Sequence, residues 1–301
     1  MTNRKPFPAG QAGNGATSPA VSASGTPHAD GRSPLSVVIR PFPAAIGTEV
    51  MKLRRSKITW LSFLVYLFMI SVAGFFMWIM KNPGTAERLG IMGQKAQLAL
   101  GGESIVWATF LGFVLEMCGI GGMVLLSIIM SYVFGREYAE GTAKNMLTEP
   151  VPRTVFVAAK LVVSAAWFLL LTIWAIALTA AAGFIVGLGE FDPALFRWTA
   201  GRIALAAVMA FILANGAAWV AVQTRGYLAP LGYTIFTMLL SVIFGATGWG
   251  EGCPWSILMW FTGASGPDKN IGWGSWVVLA GFLILSLGLT IRHESFADNT
   301  Q

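Results

Sequence analysis

The chain has 301 residues, of which 55% are hydrophobic and only 11% charged, with a mean hydropathy of +0.66 and a formal net charge of +6. A soluble domain carries roughly 25% charged residues, so this deficit argues against a soluble enzyme and for a chain that lies in lipid. The positive balance does not mark a nucleic-acid binder, because the basic residues fall between long apolar runs and form no single face.

Residues 1–44 are rich in Pro, Gly, Ala and Ser and show no apolar period. Such a segment buries too little surface to offset its conformational entropy, so a disordered tail is expected. It has no apolar h-region of the signal-peptide kind. Residues 45–57, AIGTEVMKLRRSK, place Ile46, Val50 and Leu53 at i, i+4 and i+7. Lys52, Arg54, Arg55 and Lys57 lie between and after them, and Glu49 precedes them. This suits a short amphipathic lead-in helix on the inner membrane face, or a plain basic anchor.

A helical span needs about 20 apolar residues to cross a ~30 Å hydrocarbon core at ~1.5 Å per residue. Six segments meet that need: Ile58–Met80, Val106–Phe134, Leu161–Gly189, Ile203–Thr224, Gly226–Gly250 and Ile271–Ile291. The expected fold class is an all-α integral membrane protein, a six-transmembrane-helix bundle over residues 45–292 with a short C-terminal tail at 293–301. With the N-terminus cytoplasmic, ten basic residues lie near inner ends: Lys52, Arg54, Arg55, Lys57, Arg136, Lys144, Arg153, Lys160, Arg225 and Arg292. Six lie outside: Lys81, Arg88, Lys95, Arg197, Arg202 and Lys269. The bias favours both termini inside. Trp60, Trp78, Trp107, Trp198, Trp249 and Trp273 fall near expected span ends, as interface anchors do. The outer loop 248–270 contains Trp255–Phe261, apolar but too short to cross. A re-entrant hairpin fits it, and so does an apolar loop packed on the bundle top.

Several chemistries are missing from the inventory. Cys118 lies in an apolar run and Cys253 in a loop, which argues against a mutual disulfide, and no Cys/His cluster suggests a metal. The two histidines, His28 and His293, lie in the tail and at the far C-terminus, away from any intramembrane catalytic position. No GxxxxGK[ST] string occurs, so this chain does not cradle ATP phosphates by that route. If ATP powers it, a separate subunit binds the nucleotide.

The stretch between the second and third spans, FGREYAEGTAKNMLTEPVPRTVFVAAK at 134–160, is rich in charge: Arg136, Glu137, Glu140, Lys144, Glu149 and Arg153. Gly141 breaks the run, Thr142 can cap a second short helix, and Pro150 and Pro152 end it. Two readings stay open on chemistry alone: a helical elbow that a partner protein receives, and a solvated connector. The stretch resembles the permease subunits of ABC-2-type exporters, in the group of the bacitracin and lantibiotic transport permeases. The matching features are Glu137, Glu140–Thr142, Leu147, Pro150, Pro152–Arg153 and Lys160, with Glu49–Ser56 (EVMKLRRS) resembling that family's amphipathic helix before the first span. The resemblance implies a cytoplasmic coupling helix at about 136–146 that docks on an ABC ATPase subunit, with Arg136, Glu137, Tyr138, Glu140, Gly141, Thr142 and Lys144 as docking residues. It implies two ATPase copies carrying ATP and Mg, a second permease chain, a bacterial inner membrane and no cofactor on this chain. Glu49, Lys52, Arg54 and Arg55 are its membrane-interface residues.

Glu116 is the one charge inside the second span. An ionisable group at the bilayer centre costs at least ~2.5 kcal/mol and is a functional candidate by default. It could bind a cation, relay a proton or line a substrate path. Val106–Phe134 spans about 43 Å, however, longer than the core, so Glu116 also fits a hydrogen-bonded place near the outer interface. Gly119, Gly121 and Gly122 follow it and imply loosening or close packing. Asn215, the other candidate for a translocation path, is expected to make an interhelical hydrogen bond of ~0.6 kcal/mol. Against the exporter reading stand a secondary carrier centred on Glu116 and a non-transporting assembly factor.

Overall fold

The computed structural model describes residues 42–82, 84, 88, 106–141, 153–266 and 271–296. Among them, eight α-helices carry the chain: α1 (Phe42–Arg55), α2 (Lys57–Lys81), α3 (Trp107–Ala139), α4 (Arg153–Val186), α5 (Pro193–Thr224), α6 (Leu228–Ala246), the short α7 (Pro254–Thr262) and α8 (Trp273–Phe296). Six of these are long and apolar enough to cross a membrane, and they correspond to the six spans read from hydropathy. The chain is an all-α, multi-pass membrane protein.

Helix ends follow local chemistry. Ser56 leaves the helical region (φ −78°, ψ 140°), and its Oγ accepts from the Ile58 N–H at 3.2 Å. That cap separates α1 from α2 and lets the chain change direction before the first span. Asp192 caps α5 by accepting from the Ala194 N–H at 2.8 Å, with Pro193 in the first turn where its missing donor is harmless. Arg225 closes α5 in the left-handed region, φ 51°.

α3 and α5 form the centre. The apolar stretch of α3 is 61% buried and that of α5 56%, against 22% for α8. Ala206, Ala210, Ala214, Ala218 and Ala221 give α5 a row of small side chains, which lets it lie close along α3. Leu111, Leu115, Leu126, Ile129, Met130 and Phe134 fill the α3 side. The outward faces are apolar too: Trp60, Phe68, Ile185, Leu228 and Ile284 are all exposed. In water such a surface would aggregate; here it faces lipid.

Several expectations change. α1 begins at Phe42, three residues early, with Pro43 in its first turn, where proline is tolerated. Its inward face is Ala45, Glu49 and Leu53, while Val50 points outward at 47% exposure. Packing against α4 selects that face: Ala45 meets Val155 and Ala159, with Phe42, Ile46 and Phe156 around them. α4 starts eight residues before the expected span, because Arg153–Lys160 is helical and hydropathy marks only the lipid-crossing part of a helix. α8 likewise runs on to Phe296. Trp60, Trp78, Trp198, Trp249 and Trp273 are exposed, but Trp107 is not an interface anchor. It is 4% exposed and packs edge-on against Phe110, Phe184 and Phe191. The expected tail before Phe42 lies outside the described residues.

Candidate functional site

The end of the bundle that carries α1 brings three helices together around one carboxylate. Glu137 lies in the last turn of α3 and is 8% exposed. Its Oε1 accepts from Lys52 Nζ of α1 at 2.9 Å, and its Oε2 from Lys160 Nζ of α4 at 2.6 Å. Lys52 also donates to Glu49 Oε1 at 2.7 Å, one helical turn back. The Lys160 side chain is only 4% exposed and its ammonium stands 5.3 Å from the Phe134 ring centroid. A charge buried this far persists only when paired, and both ammoniums share the Glu137 carboxylate. Burial works against the charged form of Lys52, but the attraction and hydrogen bonds of Glu137 and Glu49 outweigh it and hold its pKa above the ordinary lysine value.

The outer side of the same turn is wetter. Arg136 Nε donates to Glu140 Oε1 at 2.8 Å across one turn, and the guanidinium lies 5.6 Å from the Tyr132 ring centroid. The Tyr132 hydroxyl accepts from Ser56 Oγ at 3.0 Å, tying α3 to the α1–α2 junction. Tyr138 packs inward on the apolar core, and Glu140 and Gly141 are exposed. Gly141 takes φ +68° and ends the helix, with its N–H donating to Tyr138 O at 3.2 Å. Arg136–Ala139, expected in a separate elbow, are thus the last turn of the span helix itself. Nothing before Gly141 breaks the helix, since Arg, Glu and Ala are good helix formers. Thr142 and Lys144, and the rest of the expected elbow to 146, lie outside the described residues.

Of the sequence candidates, the structure gathers Glu49, Lys52, Arg136, Glu137, Tyr138, Glu140 and Gly141 at one end. Arg54 and Arg55 are exposed on α1 nearby. Lys160 stood among the residues of the resemblance but was given no site role. Its partner Glu137 is 23 positions away, in the same set of residues.

Glu116 and Asn215 stand apart from this cluster. Glu116 is half-buried, 20 residues and therefore about 30 Å along α3 from Arg136. A Cβ on Gly263, just past the end of α7, would lie 3.8 Å from its Oε1. Close packing, not loosening, explains the glycines after it: Gly119 faces Thr262, Gly121 faces Met69 and Gly122 faces the Tyr66 hydroxyl. Asn215 is 1% exposed, and its amide donates to Phe211 O of its own helix at 2.7 Å. The expected interhelical bond is not made: the amide bonds back to its own helix, and its buried Oδ1 has no hydrogen-bond partner among the described residues.

α7 also contributes at the far end. Ser256 Oγ donates to Ser241 O at 3.3 Å and Trp260 Nε1 to Gly245 O at 3.0 Å. The same four-residue step on both helices means that α7 runs parallel to the end of α6, so the 247–253 link turns back along it. Arg202, expected as a loop charge, lies in α5 and donates to Phe261 O at 2.5 Å, where a cation suits a helix C-terminus.

Comparison with known proteins accords with this arrangement. The ABC-2 family transporter protein model matches residues 45–243, which span the lead-in helix and most of the bundle. The bacitracin transport permease protein BCRB of Bacillus licheniformis is 30% identical over 179 residues, 59% of this chain and 85% of that protein. With six spans, a buried ionic tie at one end and a match over about two-thirds of its length, the chain belongs to the ABC-2 transporter family as a multi-pass transport subunit.

Proposed function

We propose that this chain is the permease half of an ATP-driven exporter in the bacterial inner membrane, paired with a second permease chain and two ABC ATPase subunits that hold ATP and Mg. Both termini are cytoplasmic in this reading, so the Glu137 end faces the ATPases. The observation that carries it is the buried Lys52–Glu137–Lys160 tie, which joins both helices flanking the 136–146 segment to the lead-in helix. An ATPase that seizes that segment pulls on α3 and α4 together. The substrate in this reading is amphipathic, a peptide antibiotic or lipid-like compound; the Bacillus licheniformis relative is named for transport of bacitracin. The described part of the outer loop, residues 248–266, is re-entrant in this reading, which the parallel run of α7 beside α6 supports.

Gentle purification from the native membrane should bring down a roughly stoichiometric P-loop subunit. The double substitution Glu140→Ala/Gly141→Ala should cut its recovery about tenfold or more, because docking residues are commonly worth ~1–2 kcal/mol each. The variant chain itself should remain folded, since Glu140 is exposed and the strain of an alanine at Gly141 (φ +68°) falls on the terminus of α3 and not on the core. Full recovery of the ATPase subunit with that variant would rule out the docking role.

The carrier reading makes a separate demand on Glu116. A proton or ion relay through it would be abolished by Glu116→Gln. The exporter reading expects ATP-dependent substrate extrusion within about twofold of wild type in that variant, because in this reading Glu116, about 30 Å along α3 from Arg136, lies near the outer boundary and not midway. Loss of extrusion with the ATPase subunit still bound would favour the carrier.

A further inference from the structure

Beside the ionic tie, between α1 and the start of α2, lies an open cleft of about 570 Å³. Lys52, Arg55, Lys57 and Arg136 line it, together with the hydroxyl-bearing Ser56 and Tyr132. No carboxylate lines it among the described residues. Lys52 is committed to Glu49 and Glu137, and Arg136 to Glu140. Arg55 and Lys57 form no ion pair with any described residue. Two full positive charges thus face a concavity whose other cations are already matched, which leaves the site short of an anion. Lys57 also heads a stripe on α2. Trp60, Leu61, Leu64 and Phe68 follow it at helical spacing on the same face, exposed by 74, 53, 58 and 68%. An anion held in the cleft would have apolar surface running away from it into the bilayer. A phosphate carrying acyl chains has that shape; a free phosphate leaves the stripe unused.

We propose that this cleft binds the phosphate headgroup of an anionic phospholipid whose acyl chains lie along the Trp60–Phe68 stripe. The side of the membrane, the inner leaflet, rests on the orientation proposed above; the binding itself does not. The bound lipid bridges α1, α2 and α3 next to Glu137, so it would steady the lead-in helix against the bundle. It differs from a general polybasic attraction, in which every surface lysine or arginine counts alike. Arg54 provides that contrast, being exposed on α1 but outside the cleft.

The test is titration of short-chain phosphatidylglycerol into the full-length protein, with whatever subunits co-purify, in neutral detergent, read by native mass spectrometry. One lipid per chain should bind in preference to phosphatidylcholine. Arg55→Ala/Lys57→Ala should weaken binding about thirtyfold, from ~1 kcal/mol per cation. Arg54→Ala should change it less than about threefold. Both substitutions are at exposed side chains, and Arg55→Gln/Lys57→Gln serves where alanine lowers the yield. Equal binding of phosphatidylcholine, equal loss with Arg54→Ala, or full competition by inorganic phosphate at matched concentration would each overturn the lipid site. Since no ATPase is needed for the readout, failure here and failure of the exporter reading are separable.

Discussion

Glu137→Gln should destabilise the folded protein by about 3–5 kcal/mol, the range for removing one partner of a buried ion pair. Lys160 decides the size of the effect. Its side chain is 4% exposed, and in the variant its ammonium stays in that place facing a neutral amide. The penalty is the desolvation of a charge without its counter-charge, not the loss of a hydrogen bond. Arg136–Glu140 on the same turn gives the contrast, since its side chains are 32% and 49% exposed and such pairs are worth ~0.2–1 kcal/mol. Glu140→Gln should therefore leave stability almost unchanged. Combining Glu137→Gln with Lys160→Met should recover most of the lost stability, because the second substitution removes the stranded ammonium. Equilibrium unfolding in mixed micelles measures all four proteins. A Glu137→Gln loss below about 1 kcal/mol would show that Lys160 finds another partner or water. The pair serves a second test. If the tie transmits ATPase movement, the restored double variant should be stable yet extrude substrate poorly.

The sequence made the six spans legible because lipid imposes an unbroken apolar run on each, and such a run is visible without knowing any neighbour. Helix ends were less so. Hydropathy extends the third span back past Lys160 without fixing where the helix starts, and it gives no sign that Lys160 is interior and paired. That pairing joins positions 23 apart, and the Lys52–Glu137 bridge joins positions 85 apart. No local period encodes either one. The inward face of α1 is set by contacts of the same long-range kind. Val50 is more apolar than Glu49, yet Glu49 turns inward because Lys52 waits there and Val50 has lipid outside. Trp107 shows the same limit, being placed at an interface by its position near a helix end and drawn inward by three phenylalanines from two other segments and its own helix.

Gly135→Ala is expected to cost about 1–3 kcal/mol, through a contact that no sequence pattern announces. A Cβ at Gly135 would stand 2.8 Å from the Gly226 carbonyl oxygen, 3.0 Å from its carbon and 3.4 Å from the Tyr227 nitrogen. These are backbone atoms in the turn between α5 and α6, so no rotamer change relieves the clash; α3 and that turn must move apart. The turn has little freedom to yield, since Arg225 already sits in the left-handed region. Gly112→Ala on the same helix is the control, because its Cβ would meet nothing within 4 Å. There the substitution should be neutral or gain ~0.5–1 kcal/mol from helix propensity. Thermal unfolding in detergent compares the two, and equal stability of both variants would refute the close approach. The location gives the result a functional reading as well. Gly135 lies two residues before Glu137, so the end of α3 is pressed on the α5–α6 turn from one side and tied to α1 and α4 from the other. Displacing it by a few tenths of an ångström at Gly135 shifts the carboxylate that both lysines share. Gly135→Ala should therefore lower transport by more than its loss of folded protein accounts for, while Gly112→Ala should not.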